Sequence, residues 1–114
     1  MGSIDTLEIK RALLSPPSLV LFSHRRDTEI AVPVDESCAA ILSELRQEPN
    51  ASLWLRSVSH TLVPFLVFWR RSKSFLLVVR VKHGASRREI RVPCSNVSGQ
   101  ALLAVSREEW SDAA

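Results

Sequence analysis

Cationic side chains are concentrated in one stretch of the chain, and they are the residues best suited to bind a ligand. Residues 69–92 hold eight Lys and Arg against a single acid, Glu89, so the segment carries +7 in a chain whose net charge is +3. The basic residues are Arg70, Arg71, Lys73, Arg80, Lys82, Arg87, Arg88 and Arg91. Clustered cations neutralise phosphates and release counterions, which is the main source of non-specific affinity for nucleic acids.

Aromatic residues lie within or beside this basic segment and could stack on bases. They are Trp69, Phe75 and His83. Stacking on such rings tolerates any base sequence. The chain has no RRM, KH or zinc-finger pattern, so the prediction depends on charge. The sequence predicts a binding module that holds the phosphate backbone of RNA or DNA with little sequence specificity.

The same charge pattern fits two other roles. As an adaptor or small subunit of a larger complex, the protein could dock its basic face on an acidic partner protein. Trp69 or Trp54 would then be central interface residues. Alternatively, the charges could only keep an exposed edge strand from aggregating.

No catalytic or metal-binding pattern is readable in the chain. The three histidines are scattered, and Cys38 and Cys94 form no metal-ligand spacing or redox pair. Only three glycines are present, which leaves little material for a phosphate-cradling loop. We therefore expect no enzymatic activity, no metal and no cofactor, and two reduced, buried thiols.

Hydrophobic periodicity in the first half predicts a helix, a hairpin and a second helix. Asp5 is placed to cap a helix that ends near Leu14, before two prolines. Apolar residues over 18–23 and alternation over 29–34 predict two paired strands. Asp35 then begins the helix with the clearest apolar stripe. That stripe consists of Cys38, Ile41, Leu42 and Leu45.

The second half predicts more strands and a last helix. Strands are expected over 53–58, 62–69, 75–82 and 89–92, with turns at 70–74 and 83–86. Ser98 is expected to cap the last helix. Strand alternation puts Phe75, Leu77, Val79 and Val81 on one side. Arg80, Lys82 and Arg91 then share the opposite, solvent-facing side.

A short internal repeat supports an α+β fold. EIAVP at 29–33 and EIRVP at 89–93 differ at one position, and each precedes a predicted helix. The repeat predicts either a pseudo-duplicated hairpin–helix unit or a chance likeness. We expect one α+β domain over 1–114, frayed at 1–4 and 111–114. Its antiparallel sheet has about five or six strands, with two or three helices packed on one face.

The longest apolar run, residues 62–69, bears on assembly and location. It is far shorter than the roughly 20 residues that a membrane helix needs. Together with residues 75–79 it is expected to be core, with a strand-addition site as one alternative and, if a helix leaves it uncovered, a homodimer interface as the other. The first residues fit a permissive N-myristoylation pattern at Gly2. A single acyl chain there would anchor the protein to a membrane only marginally. With no signal peptide readable, we expect a cytoplasmic or nuclear protein.

Overall fold

Six strands and two helices alternate in a regular order along the chain. The structure, a computed structural model, describes residues 5–65 and 68–111, and of residues 62–65, 68–73 and 111 it describes the backbone only. The elements are β1 (Leu7–Leu14), β2 (Pro17–Ser23), β3 (Thr28–Pro33), α1 (Glu36–Arg46), β4 (Ala51–Phe65), β5 (Phe68–His83), β6 (Ser86–Cys94) and α2 (Asn96–Ser111). The strands form one antiparallel sheet in the order β3-β2-β1-β4-β5-β6. The predicted α+β class is confirmed, with six strands and two helices.

The two halves of the sheet have the same topology. Each half is a three-stranded meander followed by a helix, and β1 meets β4 in the middle, where Glu8 pairs with Trp54. The repeated pentapeptides end β3 and β6, so they occupy equivalent places in the two halves. The repeat in sequence therefore matches a repeat in structure.

The core lies between the sheet and the helices. Alternate residues of each central strand are buried there, among them Leu7 and Ile9 of β1 and Leu77 and Val79 of β5. In α1 the buried residues are Cys38, Ala39 and Leu42, whereas Ile41 of the predicted stripe is 38% exposed. Each large apolar side chain buried in this way contributes about 1.5–3 kcal/mol to stability.

Polar contacts join the starts of the two helices. Asp35 precedes α1, and its Oδ1 accepts bonds from Ser98 Oγ at 2.7 Å and from Ser95 N at 3.1 Å. Burial alone would raise the pKa of Asp35, but hydrogen bonds from Ser98, Ser95 and Ser37 outweigh it and lower the pKa to about 2. The Asp35 carboxylate thus accepts hydrogen bonds from residues in the second half of the chain, and it forms no side-chain cap of helix α1.

This junction shows that the sheet is strongly curled. Pro33 and Cys94 end the two edge strands at diagonally opposite corners. A flat sheet would hold those corners roughly 40 Å apart. Right-handed twist and coiling instead bring the residues that follow them, Asp35 and Ser95, into hydrogen-bond contact.

The predicted N-terminal helix is wrong, because residues 7–14 form β1. Leu7 and Ile9 are completely buried, whereas Glu8 between them is not, which is the period-two pattern of a strand. β1 pairs with β2 along its whole length. Non-local pairing in the centre of a sheet has outweighed the local capping signal at Asp5.

The predicted cap of the last helix is also corrected. Helix α2 begins at Asn96, and Ser95 Oγ accepts a bond from Ser98 N at 3.3 Å. Ser95 therefore occupies the N-cap, at the position in the second half that Asp35 occupies in the first. Ser98 lies three residues further on and is buried against Asp35.

The predicted turn at 70–74 is wrong as well. Those residues belong to β5, and the hairpin closes earlier in the chain, where Phe65 pairs with Phe68. Neighbouring strands end earlier: β6 pairs with β5 only as far as Phe75, and β1 pairs with β4 only at Trp54. Residues 61–65 and 68–74 therefore form a two-stranded arm about 20 Å long that extends past the sheet.

Candidate binding surface on the uncovered face of the sheet

Both helices pack on one face of the sheet, so the opposite face has no covering layer within the described residues. We call it the open face. One row of directly paired residues crosses it from edge to edge through all six strands. The row is Glu29, Phe22, Glu8, Trp54, Arg80 and Glu89. Paired residues at the same level share a face, so the row combines aromatic rings with charges of both signs.

An ion-pair network occupies one half of the open face. Asp5 is its centre: its side chain is 5% exposed, and its oxygens lie 2.6 Å from Lys82 Nζ and 3.2 Å from Arg80. Arg56 is 3.1 Å from the same carboxylate. Glu89 completes the network, 3.1 Å from Arg80, but its side chain is 48% exposed. Three cations thus face two acids, which leaves a net charge of +1.

Aromatic rings form a connected strip beside this network. The ring centroid of His24 is 5.1 Å from that of Trp54 and 4.7 Å from that of Phe22. Lys82 Nζ lies 5.1 Å from the Trp54 centroid, within the range of a cation–π interaction. The carboxylate of Glu8 is hydrogen-bonded to the imidazole of His24, with Oε1 2.8 Å from Nε2. Trp54 and Phe22 are both half-buried, so part of each ring faces solvent.

The predicted basic residues are divided between the faces of the sheet. Arg80 and Lys82 lie on the open face, as expected, but inside the network. Arg87 and Arg91 pair with Lys82 and Val78, so they lie on the same face. Both are exposed, and neither forms an ion pair or hydrogen bond with any described residue.

One predicted basic residue lies on the other side. Arg88 pairs with the buried Val81, which puts it on the helix side of β6, and its guanidinium is 3.6 Å from Glu48. The side chains of Trp69, Arg70, Arg71 and Lys73 lie outside the described residues. Their backbone belongs to the β5 strand of the arm.

The predicted aromatic residues have different surroundings. Phe75 is completely buried, with its ring 4.1 Å from that of His60, so the expectation that it stacks on a ligand is corrected. The alternation that put it beside Leu77 and Val79 already assigned it to the core. His83 is exposed at the end of β5, and Trp54 lies at the centre of the open face.

Sequence reasoning missed several residues of this surface. Asp5 was interpreted as a helix cap, and Arg56, Phe22 and His24 were not singled out. The two-residue period that Asp5 shares with the buried Leu7 and Ile9 would put Asp5 on the core side of a strand, so this spacing does not reveal its place in the network.

Potential metal ligands do not converge in the described part of the chain. No set of three His, Cys, Asp or Glu residues within it could hold a metal ion. Burial raises the pKa of Cys38 to about 12 and that of Cys94 to about 11. Both thiols therefore stay protonated and unreactive at neutral pH.

Comparisons with known proteins give no relative. No family model, no curated protein and no solved structure matches this chain. No helix within residues 5–65 and 68–111 is long and apolar enough to cross a membrane. Function is therefore inferred from the chemistry of the surface.

Proposed function

We propose that this protein is a non-enzymatic binding module whose open face holds the phosphate backbone of a nucleic acid. The observation that carries the proposal is an uncovered sheet face on which Trp54 and Phe22 lie beside a cluster of cations. Cations neutralise phosphates, and rings stack on bases of any identity. No described element resembles a groove-reading helix, so we expect little sequence specificity. We expect the protein to act in the cytoplasm or nucleus.

The two acids of the network have different parts in this proposal. Glu89 is half-exposed, and exposed ion pairs are worth only about 0–1 kcal/mol, so a phosphate can replace it on Arg80. Asp5 is buried between three cations and stays in place. It fixes the cations at set positions while lowering their net charge.

Exposed cations extend the surface along β6, and the sequence of the arm adds three more. Arg87 and Arg91 continue it on the open face of β6. The arm strand adds Arg70, Arg71 and Lys73 in sequence, with no acid among them. A backbone that follows β5 and β6 would meet cations along most of its path.

A second candidate function is docking on an acidic partner protein. Arg80 already binds two carboxylates, those of Asp5 and Glu89, which supports a role of this face in binding carboxylate groups. In such an interface Trp54 would be the central contact. The effect of salt would be weaker than for phosphate binding.

Fluorescence anisotropy with labelled oligonucleotides tests the proposal. Arg91→Glu reverses an exposed charge on the open face, and Arg107→Glu reverses one on α2. We expect low-salt binding by the wild type, a loss of at least fivefold in Arg91→Glu, and less than a twofold change in Arg107→Glu. Equal losses in the two variants would contradict the open-face site.

A further inference from the structure

The β5 side of the arm presents an unpaired strand edge. After Cys94 pairs with Phe75, the chain leaves the sheet and enters α2. No described strand lies beside residues 68–73 on that side, although residues 68–71 pair with β4 on the other. Strands in globular proteins are usually about 3–10 residues long, so four residues are enough for strand pairing. The edge therefore offers backbone N–H and C=O groups to an additional strand.

The sequence at this edge limits what can bind to it. Residues 68–73 read FWRRSK, with three cations and no acid. Cations on an edge strand discourage pairing with a like strand, because an antiparallel second copy would bring Arg70, Arg71 and Lys73 near their counterparts. An acidic strand has the opposite effect, since each cross-strand pair of opposite charges is favourable.

The β4 side of the arm is a poorer edge. Pro64 has no N–H to donate, and proline is one device that keeps an edge from accepting another strand. The register shift at the base of the arm puts its extra residues in β5, at 72–74, so residues 68–71 are the regular part of the β5 edge. These four residues contain no proline, and their protection consists of positive charge.

We propose that residues 68–73 accept an extended acidic segment of a partner protein as an added strand. Backbone hydrogen bonds would supply affinity, and the cations would select acidic segments. A third strand would also stabilise the arm, because a two-stranded hairpin alone is marginally stable in water. This site is the backbone edge of the arm, whose cations also extend the nucleic-acid surface proposed above, but strand addition does not depend on a nucleic-acid ligand.

The test uses a labelled nine-residue peptide of alternating Glu and Val, with a Lys/Val peptide as its control. Binding is measured by anisotropy and located by amide hydrogen exchange. We expect the acidic peptide to bind, to protect amides within 68–73, and to lose at least fivefold in affinity with Arg71→Glu. The matched variant Arg107→Glu changes the charge equally at an exposed site on α2 and should bind as the wild type does.

Four results would overturn the proposal. They are no binding of the acidic peptide, equal binding of the Lys/Val peptide, protection confined to the open face, and equal losses in the two variants. A fifth would be a wild-type dimer in sedimentation that dissociates in Arg71→Glu, since a second copy would then occupy the arm. Oligonucleotide binding by the Arg71→Glu variant is scored separately, so failure here leaves the open-face proposal standing.

Discussion

Lys82 and Asp5 form a close ion pair on the open face, with Nζ 2.6 Å from Oδ2. Because the carboxylate is 5% exposed and also contacts Arg56 and Arg80, it neutralises charge on the surface that we propose for phosphate binding. Stability and binding therefore oppose each other at Asp5.

Asp5→Asn tests that opposition. Removing the charge leaves three cations less compensated, so we expect the free energy of unfolding to fall by about 1–3 kcal/mol. The same change should strengthen oligonucleotide binding at low salt by about three- to tenfold, because the surface gains one positive charge. Urea unfolding and anisotropy measure the two effects.

Glu44→Gln is the matched control for this substitution. Glu44 is exposed on α1, on the far side of the sheet, and its replacement removes the same charge. It should leave both quantities nearly unchanged. Weaker oligonucleotide binding by Asp5→Asn, with the fold intact, would contradict phosphate binding at this network.

We expect the folded protein to lose stability in acid as Asp35 becomes protonated. Its pKa is about 2 in the folded protein against 3.8 in the unfolded chain, so its contribution is complete above pH 4 and is lost as the pH falls toward 2. The full linkage value would be about 2.5 kcal/mol, which solvent screening of a partly exposed group reduces to about 1–2 kcal/mol. Urea unfolding from pH 6 to pH 2 measures it.

Asp35→Asn should be less stable at pH 6 and should show a weaker pH dependence below pH 4. Other carboxylates titrate in the same range, so the comparison is the difference between the two curves. Parallel curves for the wild type and the variant would show that the bonds from Ser95 and Ser98 do not favour the charged form.

Gly99, at the start of α2, leaves no room for a larger side chain. A Cβ built at this position would overlap the ring of Phe75, so the helix can approach β5 this closely only with glycine here. Gly99→Ala should lower the free energy of unfolding by about 1–3 kcal/mol, despite the higher helix propensity of alanine. Thermal unfolding followed by circular dichroism measures the change.

Two further variants make the steric explanation specific. Gln100→Ala is the control, because Gln100 is exposed on the same helix. Phe75→Leu in the Gly99→Ala background should recover part of the loss, since a smaller side chain makes room for the methyl group. If the double variant shows the sum of the two single losses, the overlap is not the cause.

The cysteines predict a low reactivity toward alkylating reagents. Cys38 is completely buried and Cys94 is 4% exposed, and burial raises the pKa of both thiols. At pH 8 the native protein should react with iodoacetamide at least a hundredfold more slowly than the urea-unfolded protein, because reagent access and thiolate are both lacking. Mass spectrometry of time points measures the rates, and rapid labelling of the native protein would show that the core opens at this site.

Local patterns predicted the fold where the structure depends on local information. The alternation of Phe75 to Val81 gave the buried side of β5, and the turn residues around Gly84, whose φ is +63°, gave the β5–β6 hairpin. Helix α1 follows from its apolar spacing. These elements agree with the structure because the apolar pattern and the turn residues favour the same local conformation.

The errors occur where distant segments decide the outcome. Residues 7–14 carry a capping signal and a mixed apolar pattern, and only pairing with β2 makes them a strand. The arm reverses within an apolar run that has no glycine or asparagine, whereas the polar residues 70–74 look like a turn. The network could not be predicted, since Asp5 meets Arg80 only after the two halves of the sheet have paired.

Salt dependence is the most direct test of phosphate binding by the open face. The measurement is the affinity of the wild type, Arg91→Glu and Arg107→Glu for generic single- and double-stranded RNA and DNA across a series of salt concentrations. We predict a linear fall of log K with log salt, with a slope steeper than about −3, which decreases in magnitude by about one or two in Arg91→Glu and is unchanged in Arg107→Glu. No binding at low salt, or the same slope in all three proteins, would contradict phosphate binding at this face.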